Sequence, residues 1–252
     1  EAVEKTPQGK TVNMKLAQLL VDVFRSQSIA VLGNVLIAMG LAALIAFGYQ
    51  YKTGEPLMNA DQIAYQLHSI DPLAGTLWFA AIAGVWLFCS GIISGYFDNR
   101  SNYLNMRMRL TQHPLLKKLM SEKTRVKFAN YMHENYGSLI GNLCFGMLLG
   151  LTGVVGYLTH LPLDIRHVAF SSANVGYIAV SGQFTYSLLL QCIGFVLLIG
   201  LVNLIVSFSL TLWVALRSLN AEIESWWPIW YEVCQIVKKR PLSLFLPVQL
   251  DK

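Results

Sequence analysis

Four long stretches of this chain contain no Asp, Glu, Lys or Arg: Ser26 to Tyr51, Pro72 to Phe97, Asn135 to Leu163 and His167 to Leu216. Runs of that kind match what a bilayer demands, since about 20 residues rising roughly 1.5 Å each cross a hydrocarbon core of about 30 Å. The 252 residues are 54% hydrophobic and only 13% charged, far below the roughly one quarter charged that is usual in water-soluble domains. A soluble globular fold is therefore excluded as the main reading, and an all-α integral membrane protein is expected.

The first three runs each suit one helix, with cores near Ile29 to Tyr49, Leu73 to Gly95 and Ser138 to Leu158. The fourth is too long for a single span. Its second part, Tyr186 to Leu216, is almost continuously aliphatic and aromatic, whereas VAFSSANVGYIAVSGQ (residues 168–183) is rich in Ser, Gly and Asn. That first part reads either as a helix lying at the interface or as a re-entrant segment sheltered by protein, because irregular backbone cannot face lipid. The basic residues decide the number of spans. With four, 17 of the 19 Lys and Arg residues fall on one side and 2 on the other. A fifth span would carry Arg217, Lys238, Lys239 and Arg240 to the poor side and spoil that asymmetry. The expected topology is a multi-pass protein of a bacterial inner membrane with both termini cytoplasmic.

The isoelectric point near 9.0 then follows from basic cytoplasmic flanks lying against anionic lipid headgroups, and nucleic acid is not expected as a partner. In residues 115–133 the apolar Leu115, Leu119, Val126, Ala129 and Met132 recur near helical spacing beside Lys117, Lys118, Lys123, Arg125 and Lys127. This predicts a basic amphipathic helix along the inner leaflet. Lys238, Lys239 and Arg240 have the same headgroup role, and Trp226, Trp227, Trp230 and Tyr231 suit an interfacial aromatic belt. The cysteines Cys89, Cys144, Cys192 and Cys234 stand singly, which argues against a disulfide framework or a zinc ribbon. No cleavable signal peptide is expected, and a start at Glu1 instead of Met suggests a piece of a longer protein.

The chain also repeats itself. Gly33-Asn34 and Gly141-Asn142 each open a span, and Pro56-Leu57 and Pro162-Leu163 each follow its end. Capping residues come next, Asn59 or Asp61 in one copy and Asp164 in the other, then a weakly amphipathic stretch and another span. Two tandem parallel repeats are predicted, because each unit crosses twice. The resulting segments are a cytoplasmic amphipathic segment (1–28), a first helical pair with its outer loop (29–97) and a basic cytoplasmic linker (98–136). A second helical pair (137–216) and an interfacial carboxyl-terminal segment (217–252) complete the chain. Gly91/Gly95, Gly137/Gly141, Gly146/Gly150 and the ladder Ala38, Ala42, Ala46 put small residues on single helix faces. Such faces let helices of this chain, a second copy or other membrane subunits approach closely.

Polar candidates are few. Asn34, Asn142 and Asn203 lie in or near spans, where interhelical hydrogen bonds are the plain reading and a polar path the functional one. No Asp, Glu, Lys or Arg falls within the predicted cores, which argues against an ion-coupled pump. The second outer loop is densest, with His160, Asp164, Arg166, His167, Ser171, Ser172 and Asn174. On a helix Asp164, His167 and Ser171 would share a face and, with His160, offer nitrogen and oxygen ligands to zinc. Pro162 interrupts that spacing and the first outer loop does not repeat it. An N-cap, with Arg166 paired to Asp164 or to a lipid phosphate, is the plainer reading, and no metal or cofactor is expected. GxSxG, Walker A, HExxH and GxGxxG patterns are absent.

The block HENYGSLIGNLCFGMLLGLTGVVGYLTHLPLDIRHVAFSSANVGY (133–177), and most specifically its Gly-Asn pair and LPLDIRHVAFS, resembles a proteobacterial family of membrane proteins known as Gcr-type site-specific recombinases. LVNLIVSFSLTLWVALRS (201–218) looks like it too. The resemblance covers most of this chain and matches the carboxyl-terminal membrane part of longer members; it implies DNA strand exchange. A tyrosine recombinase would need a Tyr nucleophile among arginines and an HxxR element, and no His here has Arg at that spacing. No catalytic residue is carried over. The residues themselves favour a non-enzymatic membrane anchor, scaffold or envelope-complex subunit, with lipid or small-solute transport as the second reading and recombination as the third.

Overall fold

The computed structural model describes residues 8–182, 185–218 and 225–244. Those residues are all-α, with no strand among them. Helix α1 spans Gln8–Thr53, α2 Ala60–Ile70, α3 Thr76–Tyr103, α4 Met106–Gln112 and α5 Pro114–Leu119. They are followed by α6 Glu122–Thr159, α7 Val168–Ala179, α8 Tyr186–Ser218 and α9 Trp227–Lys239. Four of these, α1, α3, α6 and α8, are long and apolar enough to cross a membrane. Only 17–28% of the most apolar window of each is buried within the protein. The remaining surface, including Leu36, Ile37 and Leu44 on α1, would be costly in water and suits contact with lipid.

Two long helices run through expected segment boundaries. The separate segment at residues 1–28 is, from Gln8 onward, the stem of α1, which continues for 46 residues, about 70 Å at helical rise. No proline interrupts it, and charges such as Asp22 and Arg25 do not break a helix. The basic helix expected at 115–133 is instead cut at Met120. Ser121 caps α6 by accepting a hydrogen bond from the Thr124 N–H, and Glu122 favours the positive end of the helix dipole. Lys123, Arg125 and Lys127 thus stand on the stem of a 38-residue helix collinear with the third span, while Lys117 and Lys118 end α5. Residues 219–224 and 245–252 of the expected carboxyl-terminal segment lie outside the described residues.

Helix α3 is central, with α6 on one flank and α8 on the other; α1 packs chiefly along α7 and α9. Small residues permit the close α3–α6 approach. At Gly137 a Cβ would fall 2.3 Å from the Asp98 carboxylate and from the Ser94 carbonyl, and the Gly137 N–H donates to Asp98 Oδ1 at 2.9 Å. Ser90 Oγ donates to the Gly141 carbonyl at 3.1 Å and Trp86 Nε1 to Thr152 Oγ1 at 2.8 Å. Such bonds hold spans together where the hydrophobic effect gives little drive. The predicted faces divide: Gly137 and Gly141 pack against α3 and Ala42 and Ala46 are buried, whereas Gly91, Gly95, Gly146 and Gly150 have open space beside them.

The path of the chain brings residues 168–179 back beside the long helices. Beyond α6 it reverses at His160, which is left-handed at φ 55°, and lies back on the helix it has just left. The Leu163 carbonyl sits where a Gly156 Cβ would be, and the His167 ring reaches Phe145, 5.2 Å between centroids. Phe145 precedes Thr159 by 14 residues, about 20 Å along the helix. From there α7 rises beside α1: Val168 meets Val31 at Gly200, and Gly176 lies on Met39 and Ala42. The segment is a hairpin packed against the long helices, an extended stretch followed by a 12-residue helix, with residues 183 and 184 outside the described set.

Candidate functional site at the hairpin junction

Polar groups of the hairpin converge where it turns. A helix starting inside protein leaves backbone N–H groups without partners, and here Asn203 of α8 answers them. Buried to 2% exposure, its Oδ1 accepts from the Val168 N–H at 3.1 Å. Its Nδ2 donates to the Ala80 carbonyl of α3 at 2.7 Å and to the Arg166 carbonyl at 3.0 Å. One amide side chain therefore ties α3, α8 and the hairpin together. Gly84 makes room for α8, since a Cβ there would meet Val206 at 2.8 Å.

Arg166 is held on several sides. Its N–H reaches the Phe79 carbonyl at 3.4 Å, Nε donates to the Ser69 carbonyl at 2.7 Å, and Nη1 pairs with Asp164 Oδ2 at 2.6 Å. The guanidinium also lies 5.8 Å from the centre of the Phe79 ring. Ser69 lies in the last turn of α2, so the cation satisfies one of the last carbonyls at the negative end of a helix, a carbonyl that also accepts from Thr76 Oγ1 at 3.0 Å. The Asp164 partnership expected from sequence is present, and a helix end stands where a lipid phosphate was the other possibility. Asn174 Nδ2 donates to Gln66 Oε1 at 2.8 Å, joining α7 to α2.

His167 is the N-cap of α7, its Nδ1 accepting from the Ala169 N–H at 3.4 Å. The ring sits edge-on between Phe145 and Phe170. The contact with Phe145 sets it level with the apolar part of α6, among aromatic rings. Ser171 is buried on the same helix, while His160 projects outward. These residues do not gather into a ligand set; no group of three His, Cys, Asp or Glu able to hold a metal occurs among the described residues. With Val168 and Ala169 N–H groups already engaged, the start of α7 is closed by the protein's own acceptors.

Asn34 and Asn142 are placed differently from Asn203: both are exposed on the outer faces of α1 and α6. Neither lines a path among the described residues. Sequence reasoning did not single out Ser69, Thr76, Gln66 or Phe79. Two of these contribute backbone carbonyls, which carry no residue signature, and the Arg166–Ser69 contact joins positions 97 apart. At the carboxyl-terminal end of α3, Ser101 was also missed; its Oγ lies 3.1 Å from His133 Nδ1 and it is 1% exposed. That burial makes it a structural link between helices and leaves no approach for a phosphodiester.

Fold and junction together define a helical protein built around four membrane-length helices and a hairpin packed among them. The site-specific recombinase family model matches residues 1–247, and the chain belongs to that family. No curated protein and no solved structure matches it.

Proposed function

We propose that this chain is a non-catalytic membrane scaffold, a multi-pass anchor or subunit of an envelope complex in a bacterial inner membrane, with both termini cytoplasmic. The observation that carries the reading is the junction, where the most buried polar side chains join helices: Asn203 is spent on three backbone partners, and Arg166 on a helix end and on Asp164. A transport path would need polar groups free to meet a solute. The basic asymmetry supports the sidedness, and anionic headgroups are the partners of Lys117, Lys118, Lys123, Arg125, Lys127, Lys238, Lys239 and Arg240. Segmentation into two helical pairs with a basic linker belongs to the same proposal.

The test is topological and biochemical. In a variant with its own cysteines replaced, Asp61→Cys, exposed near the start of α2, is labelled in intact cells by a membrane-impermeant thiol reagent, and Ser121→Cys is not. The reverse pattern overturns the sidedness. Affinity purification in mild detergent then retrieves a stoichiometric assembly, and a bare monomer contradicts the scaffold.

The family description favours a second reading, DNA strand exchange. Tyr96 at the inner end of α3 accepts a hydrogen bond from Arg100 at 3.2 Å, which sets a cation beside a hydroxyl of the kind that attacks phosphate. A single arginine is a thin set for a phosphodiester. Nicking or rejoining of supercoiled DNA by the purified protein, lost in Tyr96→Phe, would establish this reading in place of the scaffold.

A further inference from the structure

Away from the junction, the inner ends of α1 and α8 and the length of α9 enclose a groove of about 790 Å³. That is within the roughly 300–1,000 Å³ typical of ligand sites. Phe24, Leu201, Leu204, Phe208, Trp213 and Trp230 form its walls, and Ser209 supplies the one hydroxyl in the lining. Nothing so apolar could orient a polar solute, but it could take a hydrocarbon chain on three sides, α9 closing a gap that two neighbouring spans leave open.

Among the described residues near its rim, basic side chains prevail. Arg217 lies with its guanidinium 5.8 Å from the centre of the Trp213 ring, and Lys238 and Lys239 occupy the last turn of α9, directly after the lining residue Val237. Arg25 follows Phe24 and is paired with Asp22 at 2.9 Å, and Glu232 is the acid on α9. Tryptophans between an apolar wall and basic side chains mark the headgroup level of a leaflet. We propose that the groove is a binding site for one anionic phospholipid, its acyl chain against Leu201 and Leu204 and its phosphate at Arg217. The proposal rests on the membrane reading above and adds to it a defined lipid in place of a general attraction to headgroups.

Three groove residues, Trp213, Trp226 and Trp230, make occupancy readable by fluorescence. The full chain is reconstituted in phosphatidylcholine vesicles in which a small fraction of lipid is replaced by brominated phosphatidylglycerol or, in parallel, brominated phosphatidylcholine. The anionic probe is expected to quench at a mole fraction about fivefold lower, the preference one basic residue near the surface confers. Arg217→Gln abolishes most of that difference, and native mass spectrometry from mixed-lipid nanodiscs finds one phosphatidylglycerol retained per chain. Leu204→Phe with Val233→Phe, which fills the groove, removes the retained lipid; the wild-type measurement stands even if this variant does not fold. Equal quenching by both probes with no lipid retained overturns the site and leaves the membrane reading intact. Quenching by neither probe overturns both.

Discussion

Gly33-Asn34 in α1 and Gly141-Asn142 in α6 hold matching places in two halves of the chain, each half running long helix, short helix, long helix. Their surroundings differ. A Cβ on Gly141 would come within 3.0 Å of Ser94, whereas nothing lies within 4 Å of one on Gly33. Helix α6 lies along α3, but α1, its counterpart, meets α8 only slightly and lies along α7. The short helices differ too. Asn59 and Gln62 close a capping box on α2, while α7 starts inside the protein and needs His167 and Asn203. A repeated order of elements does not impose repeated packing; the hairpin inserted beside α1 takes the place that symmetry would give to α8.

The largest test of that asymmetry is Asn203→Leu. It strips partners from the Val168 N–H and from two carbonyls at a buried position, at about 1–3 kcal/mol for each group left unpaired. Unfolding in mixed detergent micelles should show a loss of at least the lower end of that range and protease access to the hairpin. A variant as stable as the wild type would mean that α7 does not depend on its cap.

How much of this was open to reading depends on the kind of signal. The spans were legible because the signal is an absence of charge, and so was the pairing of Arg166 with Asp164, two residues apart. The ends of α1 and α6 were not, because charge marks where a chain meets water and not where a helix stops; only Ser121 and the turn at His160 do that. The hairpin was half legible. Ser, Gly and Asn in residues 168–183 announced a segment unsuited to lipid, but its path depends on the cradle Gly156 offers to Leu163 and on the Phe145–His167 contact, which join residues with no shared pattern. The asparagines show the same limit: three similar residues in apolar runs, of which one is a clamp and two face outward.

Next in size is the glycine pair itself. Gly141→Val forces a side chain into the α3–α6 seam and should cost about 1–3 kcal/mol, the usual range for overpacking. Gly33→Val meets open space and should change stability by no more than the modest propensity difference, well under about 1 kcal/mol in favour of the variant. Thermal melts of the two in the same detergent compare matching positions directly. Equal losses would restore the symmetric packing that the repeat predicts.

The smallest effect is expected from Asn34→Leu combined with Asn142→Leu. Both side chains are exposed on spans, and an amide facing hydrocarbon without a partner is costlier than leucine, so the double variant should be as stable as the wild type or slightly more so. Under the scaffold reading its cellular level and its copurifying assembly are also unchanged. A loss of assembly with stability intact would show that the two matching asparagines meet a second copy or another subunit through hydrogen bonds. A loss of solute movement would make them a gate. The equivalence of the two halves would then lie in their outward faces, where both asparagines are exposed, and not in the interior, where Gly141 has a neighbour and Gly33 has none.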